Sequence, residues 1–160
     1  MPINLLDALL DGPFELTSRP EPVPGDLRLA WGMALVILIL GRSRGKRASL
    51  QKLHFMAYST RTRETRQETA RVLEGHVATS TLVVRVEPWL NRALAFAHAA
   101  GLVALENGRH AKLTEKGISA LEQISTAESV LSEEKAFLAA CGSRATEAAI
   151  ERIMRMERLL

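Results

Sequence analysis

The stretch from Glu87 to Gly117, EPWLNRALAFAHAAGLVALENGRHAKLTEKG, limits what this chain can fold into more than any other. Pro88 can open a helix, because its missing N–H would lack a partner in the first turn anyway. Leu90, Leu94 and Ala97 recur at helical spacing, with Ala93 beside them. Gly101 follows the last turn, where positive φ commonly stops a helix. Two short apolar runs come next, Leu102–Leu105 and Ala111–Leu113. The Asn107-Gly108 pair between them tolerates the positive φ of a type I′ turn, so the spacing predicts a β-hairpin. Thr114 can cap a second helix beyond it.

Helix, glycine, hairpin, helix is the order of a winged helix, with the hairpin as the wing. The fold expected is mainly α with a small β-wing: a winged helix-turn-helix with N- and C-terminal helical extensions. Residues 1–25 are an apolar segment and a proline-rich connector, 26–126 the winged-helix domain, and 127–160 a C-terminal helical extension. Few aromatic residues (4%) leave the core to Leu, Ala, Val and Ile, a composition that suits helices.

Outside the hairpin region, Ile3–Leu10 predicts a short apolar helix, ended by Gly12-Pro13 and followed by Pro20, Pro22 and Pro24. Asp26 is positioned to cap a helix to about Leu40, with Gly41 as its stop. The apolarity of Ala30–Leu40 on all sides implies burial. That run is about half the length of a membrane span, and Asp7 and Asp11 interrupt the first apolar stretch, so neither a span nor a secretory signal is expected. Ser49 is placed to cap a helix carrying Leu50, Leu53 and Ala57. Arg63–Glu74 reads as a charged surface helix with a thin buried stripe, Ala70 and Leu73. Thr81–Val86 reads as a strand with Leu82, Val84 and Val86 on one face. The helix after the hairpin runs to about Ser125 and buries Ile118, Leu121 and Ile124. Leu131, Phe137 and Leu138 form a further patch, and Gly142-Ser143 breaks the helix there.

Charge is unevenly spread. Between Arg42 and Arg71, nine cationic side chains face only Glu64 and Glu68, a net of +7 in a chain whose total is +3. A basic face on a mildly acidic body points to a polyanion. Arg42, Arg44, Lys46, Arg47, Lys52, Arg61, Arg63 and Arg66 are the candidate DNA-backbone contacts, joined by Arg109, His110 and Lys112 on the wing. Such groups position a protein on phosphates without reading bases. The helix 88–100 is poor for base reading, because only Asn91, Arg92 and His98 offer suitable groups. Its Trp89, Arg92 and Phe96 are instead candidate partner contacts, as are Ile150, Ile153 and Met156 on the apolar stripe of 144–160.

No catalytic constellation is visible. Gly41–Arg47 has three residues between its glycines and Arg after its Lys, where a phosphate loop has four and a Ser or Thr. His54, His76, His98 and His110 lack metal-ligand spacing. The lone Cys141 excludes an internal disulfide, fits a reducing cytoplasm, and reads as a small buried apolar residue. A non-enzymatic chain without cofactor or metal is expected.

Arg47-Ala-Ser-Leu-Gln-Lys-Leu53, continuing to Tyr58, resembles the second-helix motif of the small middle components of bacterial ABC-three-component systems and the related Lamassu-type anti-phage systems. Asn91–Leu94, Gly101–Val103 and Leu113–Gly117 are similar to the downstream helix and wing of the same family. The resemblance covers roughly 26–125. It implies a cytoplasmic winged-helix subunit in antiviral defence, seated on an SMC-like coiled-coil ATPase beside an effector subunit and contacting double-stranded DNA without sequence preference. Subunits of that kind usually carry two winged-helix units; one wing is evident here. The alternative is a free winged-helix transcriptional regulator, a homodimer through its C-terminal helix.

Overall fold

The computed structural model describes residues 25–82, 84 and 86–157. The expected N-terminal helix at 3–10 and its proline-rich connector lie outside them, as does the side chain of Met156. The described residues are mainly helical, with one small antiparallel sheet. They form seven α-helices: α1 (Gly25–Arg42), α2 (Leu50–Ser59), α3 (Arg63–Leu73), α4 (Pro88–Ala99), α5 (Glu115–Thr126), α6 (Ser132–Cys141) and α7 (Glu147–Glu157). The strands are β1 (Arg47–Ser49), β2 (Val103–Glu106) and β3 (His110–Leu113), in the order β1-β3-β2. Among the described residues no helix is long and apolar enough to cross a membrane.

The apolar run of α1 becomes the central rod. Leu35 to Leu40 are all buried, at 3% exposure or less, with α2, α4, α5, α6 and β3 packed around them. Burial on every side explains why this helix needs no polar stripe. Gly41 does not end it. The helix runs on to Arg42, and a Cβ at Gly41 would lie 2.6 Å from Leu121 on α5. The glycine lets two helices approach, which outweighs its poor helix propensity.

The hairpin follows its local chemistry. Asn107 and Gly108 both take positive φ, at 52° and 62°, and Gly101 ends the helical stretch at 73°. Thr114 caps α5, its side chain accepting from the Gly117 amide at 3.1 Å. Gly117 is buried against the Leu102 carbonyl, where a Cβ would sit 2.1 Å from the oxygen, so only glycine fits.

The third strand lies elsewhere than expected. Residues 79–81 form a 3-10 turn, Leu82 beyond it is buried, and Val86 is 68% exposed. The partner of the hairpin is instead β1, which pairs with β3 and places Arg47 opposite Lys112 and Ser49 opposite His110. Ile118, Leu121 and Ile124 are half-buried rather than buried; the buried residues of α3 are Thr69 and Val72, while Ala70 and Leu73 are half-covered. The Gly142-Ser143 break falls where expected, and α7 folds back onto α2 and the 3-10 turn at 79–81.

Candidate nucleic-acid interface

β1 brings together two basic segments that are far apart in the chain. A strand alternates its side chains between faces. Ala48 and Ala111 point into the core, leaving Arg47, Lys112, Ser49 and His110 on the opposite face. The hairpin turn is tied to the start of α2 by the Leu50 amide, which donates to the Arg109 carbonyl at 2.9 Å. Arg42, which ends α1, and Arg44 on the short connection into β1 are exposed, and Lys46 there is half-buried. That connection contains a 3-10 turn with Gly45 and Lys46 both at positive φ. The loop basics and the hairpin basics thus share one edge of the molecule.

Two carboxylates temper this edge. Glu106 accepts from Arg47 Nε at 2.5 Å. That hydrogen bond, helped by the charges of Arg47, Lys112 and His110, holds the Glu106 carboxyl below its usual range. Glu147, in the first turn of α7, accepts from the Ser49 amide (2.9 Å) and the Ser49 hydroxyl (2.6 Å). The same hydroxyl caps α2 by accepting from the Lys52 amide at 3.0 Å. A carboxylate at a helix start is favourably placed against the helix dipole.

Lys52 departs from its expected role. It is 7% exposed, inside the edge rather than on it, and burial lowers its pKa although Glu147 opposes the shift. A side chain in that position is not on the outer sheet face with Arg47 and Lys112. Its ammonium makes no hydrogen bond or ion pair among the described residues. Arg42, Arg44, Arg47 and Lys52 line a solvent-open cavity of about 740 Å³, closed on its far side by Glu147 and the residues leading into α7. The sequence reading missed the contribution of α7, because nothing local marks Glu147 as the partner of Ser49, 98 positions away.

Arg61, Arg63 and Arg66 are not part of this edge. They cluster at the other end of α2, about 15 Å away for a helix of ten residues. Arg66 is largely covered; it donates to the Thr60 carbonyl at 3.0 Å and pairs with Glu133 on α6. Arg61 pairs with Glu87 at 3.4 Å, and Glu87 also accepts from the Trp89 indole N–H at 3.0 Å. Arg63 is exposed. Arg66 is thus tied into the local structure and Arg61 makes an exposed ion pair, and the structure does not bring these three together with Arg42, Arg44 and Arg47.

The expected partner contacts also separate. Ile150 (1% exposed) and Ile153 (4%) are buried within this chain, so they are not free anchors. Trp89 is half-buried over Gly32 and meets Trp31 at a ring-centroid distance of 5.0 Å. Arg92 and Phe96 remain exposed on α4, Phe96 at 53%. The outward side of α4 also carries Ala95 and Ala99, and offers few groups that read bases. Cys141 is buried, and that burial raises its pKa.

Comparison with protein-family models, curated proteins and solved structures finds no match.

Proposed function

We propose that the chain is a non-enzymatic winged-helix subunit that holds double-stranded DNA by its phosphates. The order α1-β1-α2-α3 followed by α4-β2-β3 supports that fold, with α4 leading straight into the hairpin wing. The observation that carries the function is the β1–β3 pairing, which gathers Arg42, Arg44, Lys46 and Arg47 with Arg109, His110 and Lys112. Such an edge supplies electrostatic attraction without base recognition. The sparse polar face of α4 fits a sequence-tolerant mode.

Within that reading, the resemblance of Arg47–Tyr58, Asn91–Leu94 and Leu113–Gly117 supports a cytoplasmic adaptor of an SMC-like ATPase in an anti-phage complex with an effector. Arg92 and Phe96 are the exposed residues best suited to meet the ATPase. The alternative, a regulator dimerising through its C-terminal helix, is disfavoured by the burial of Ile150 and Ile153.

The test is fluorescence anisotropy on unrelated duplexes. Affinities should agree across sequences within a few fold and fall steeply with salt. Reversing Arg42, Arg44, Lys46 and Arg47 together should weaken all of them alike. Tight binding to one operator, indifferent to those changes, overturns the reading. Affinity purification from the native host, with mass spectrometry, tests the adaptor role: a long coiled-coil ATPase should accompany the wild type and be depleted by Phe96→Asp.

A further inference from the structure

We infer that the cavity above Lys52 is a binding pocket for a phosphate or pyrophosphate group, sharing Arg47 with the outer sheet face. Three observations converge on it. Its lining holds four cations, Arg42, Arg44, Arg47 and Lys52, against the single carboxylate of Glu147. Lys52 is more than nine-tenths buried, lines the cavity, and has no hydrogen-bonding or ion-pairing partner for its ammonium among the described residues. The first turn of α7 lines it with Glu147 and Ala148, whose amides have no acceptor among those residues, as expected of a helix start.

The rest of the Lys52 side chain is covered, so its ammonium, which has no partner among the described residues, depends on what the open cavity holds, water or an anion, to offset its charge. Glu147 is near enough to favour the charged form, yet its carboxylate bonds the amide and hydroxyl of Ser49 and makes no ion pair with Lys52. It therefore closes the start of α2 and leaves Lys52 facing the cavity. A carboxylate ligand could offer Lys52 one charge. A phosphate brings up to two charges and several acceptor oxygens, enough to engage Lys52, the guanidinium groups of Arg42 and Arg44, and the free α7 amides together. The volume of about 740 Å³ is ample for a phosphate ester and typical of small-molecule sites.

Phosphate of this kind has two sources, a nucleic-acid backbone and a free phosphate ester, and the experiment separates them. Isothermal titration of the full chain with inorganic pyrophosphate should show saturable binding at one site. Lys52→Met should weaken it about tenfold to a hundredfold, the usual scale for removing one charge-assisted hydrogen bond. The ammonium has no partner among the described residues, so Lys52→Met should leave the fold intact. Arg44→Ala, at an exposed position that does not disturb folding, should weaken binding about tenfold by the same scale. Lys112→Ala, outside the cavity lining, should leave pyrophosphate affinity unchanged. Displacement of pyrophosphate by duplex DNA assigns the pocket to a backbone phosphate; its retention alongside bound duplex assigns it to a free phosphate ester. No saturable pyrophosphate binding, or binding indifferent to both Lys52→Met and Arg44→Ala, overturns the inference, and persistence of duplex binding in that event leaves the backbone-contact reading standing.

Discussion

The two ends of α2 carry similar positive charge and use it differently. At its start, Arg42 and Arg44 have no carboxylate partner among the described residues, and β1 sets them beside the cations of the hairpin. At its end, Arg66 closes the Thr60 carbonyl and Arg61 holds Glu87. Among the described residues only Arg47 is paired at the first end, with Glu106, whereas at the other Arg61 and Arg66 are both engaged around the turn into α3. A net of +7 over a segment thus describes composition, and only tertiary pairing decides how much of it stays unpaired at the surface.

The difference can be broken most forcefully at α7, which packs on α2 and anchors Ser49 through Glu147. Ile150→Ala should lower the stability of the isolated chain by about 2–5 kcal/mol, the usual range for a truncated core isoleucine. Urea denaturation measures it. An unchanged midpoint would mean that the stripe is not core. The other end is held by smaller polar contacts. Thr69 Oγ1 donates to Ser59 Oγ at 3.0 Å, and that hydroxyl donates to the Phe55 carbonyl at 2.8 Å. Thr69→Val keeps the shape, removes the first bond, and should cost about 1 kcal/mol in the same assay, with DNA affinity unaltered.

A still smaller effect is expected from pH. His54, on α2, has its pKa lowered, first by burial, against the opposing influences of Asn91 and Glu87, and its Nδ1 has no hydrogen-bond partner among the described residues. The unfolded chain then binds the proton more readily than the folded one. The stabilisation is full above the unfolded histidine value of about 6.5 and disappears as pH falls from there through the lower folded value. Thermal melts from about pH 7.5 down to 5, which start above the unfolded histidine value, should show a decline that His54→Gln reduces. An identical decline in the variant would assign the effect to other groups.

What was legible in the sequence is what local chemistry dictates. Asn107-Gly108 fixes the hairpin, Gly101 the stop before it, and Ser49 and Thr114 the helix caps, and each does so within a few residues. The burial of α1 was legible because apolarity on every side has one satisfactory outcome. The strand β1 was not, since Arg47-Ala48-Ser49 is too short to show alternation and exists through pairing with residues about sixty positions away. Thr81–Val86 has the better strand composition, yet Leu82 is satisfied by burial without a ladder. Gly41 carries a stop signal that packing against Leu121 overrides. The candidate interface was half legible: its cations were visible, but the α7 wall and the burial of Lys52 arise only from the docking of the C-terminal helix.

The most direct test of the central claim is the salt dependence of duplex binding for two matched pairs of neutralisations, Arg42→Ala with Arg44→Ala and Arg61→Ala with Arg63→Ala. Each phosphate that a cation no longer neutralises reduces the slope of log affinity against log salt by about 0.9. The account predicts a slope reduced by about 2 for the first pair and unchanged for the second. Equal reductions, or a larger one for Arg61 and Arg63, would contradict it.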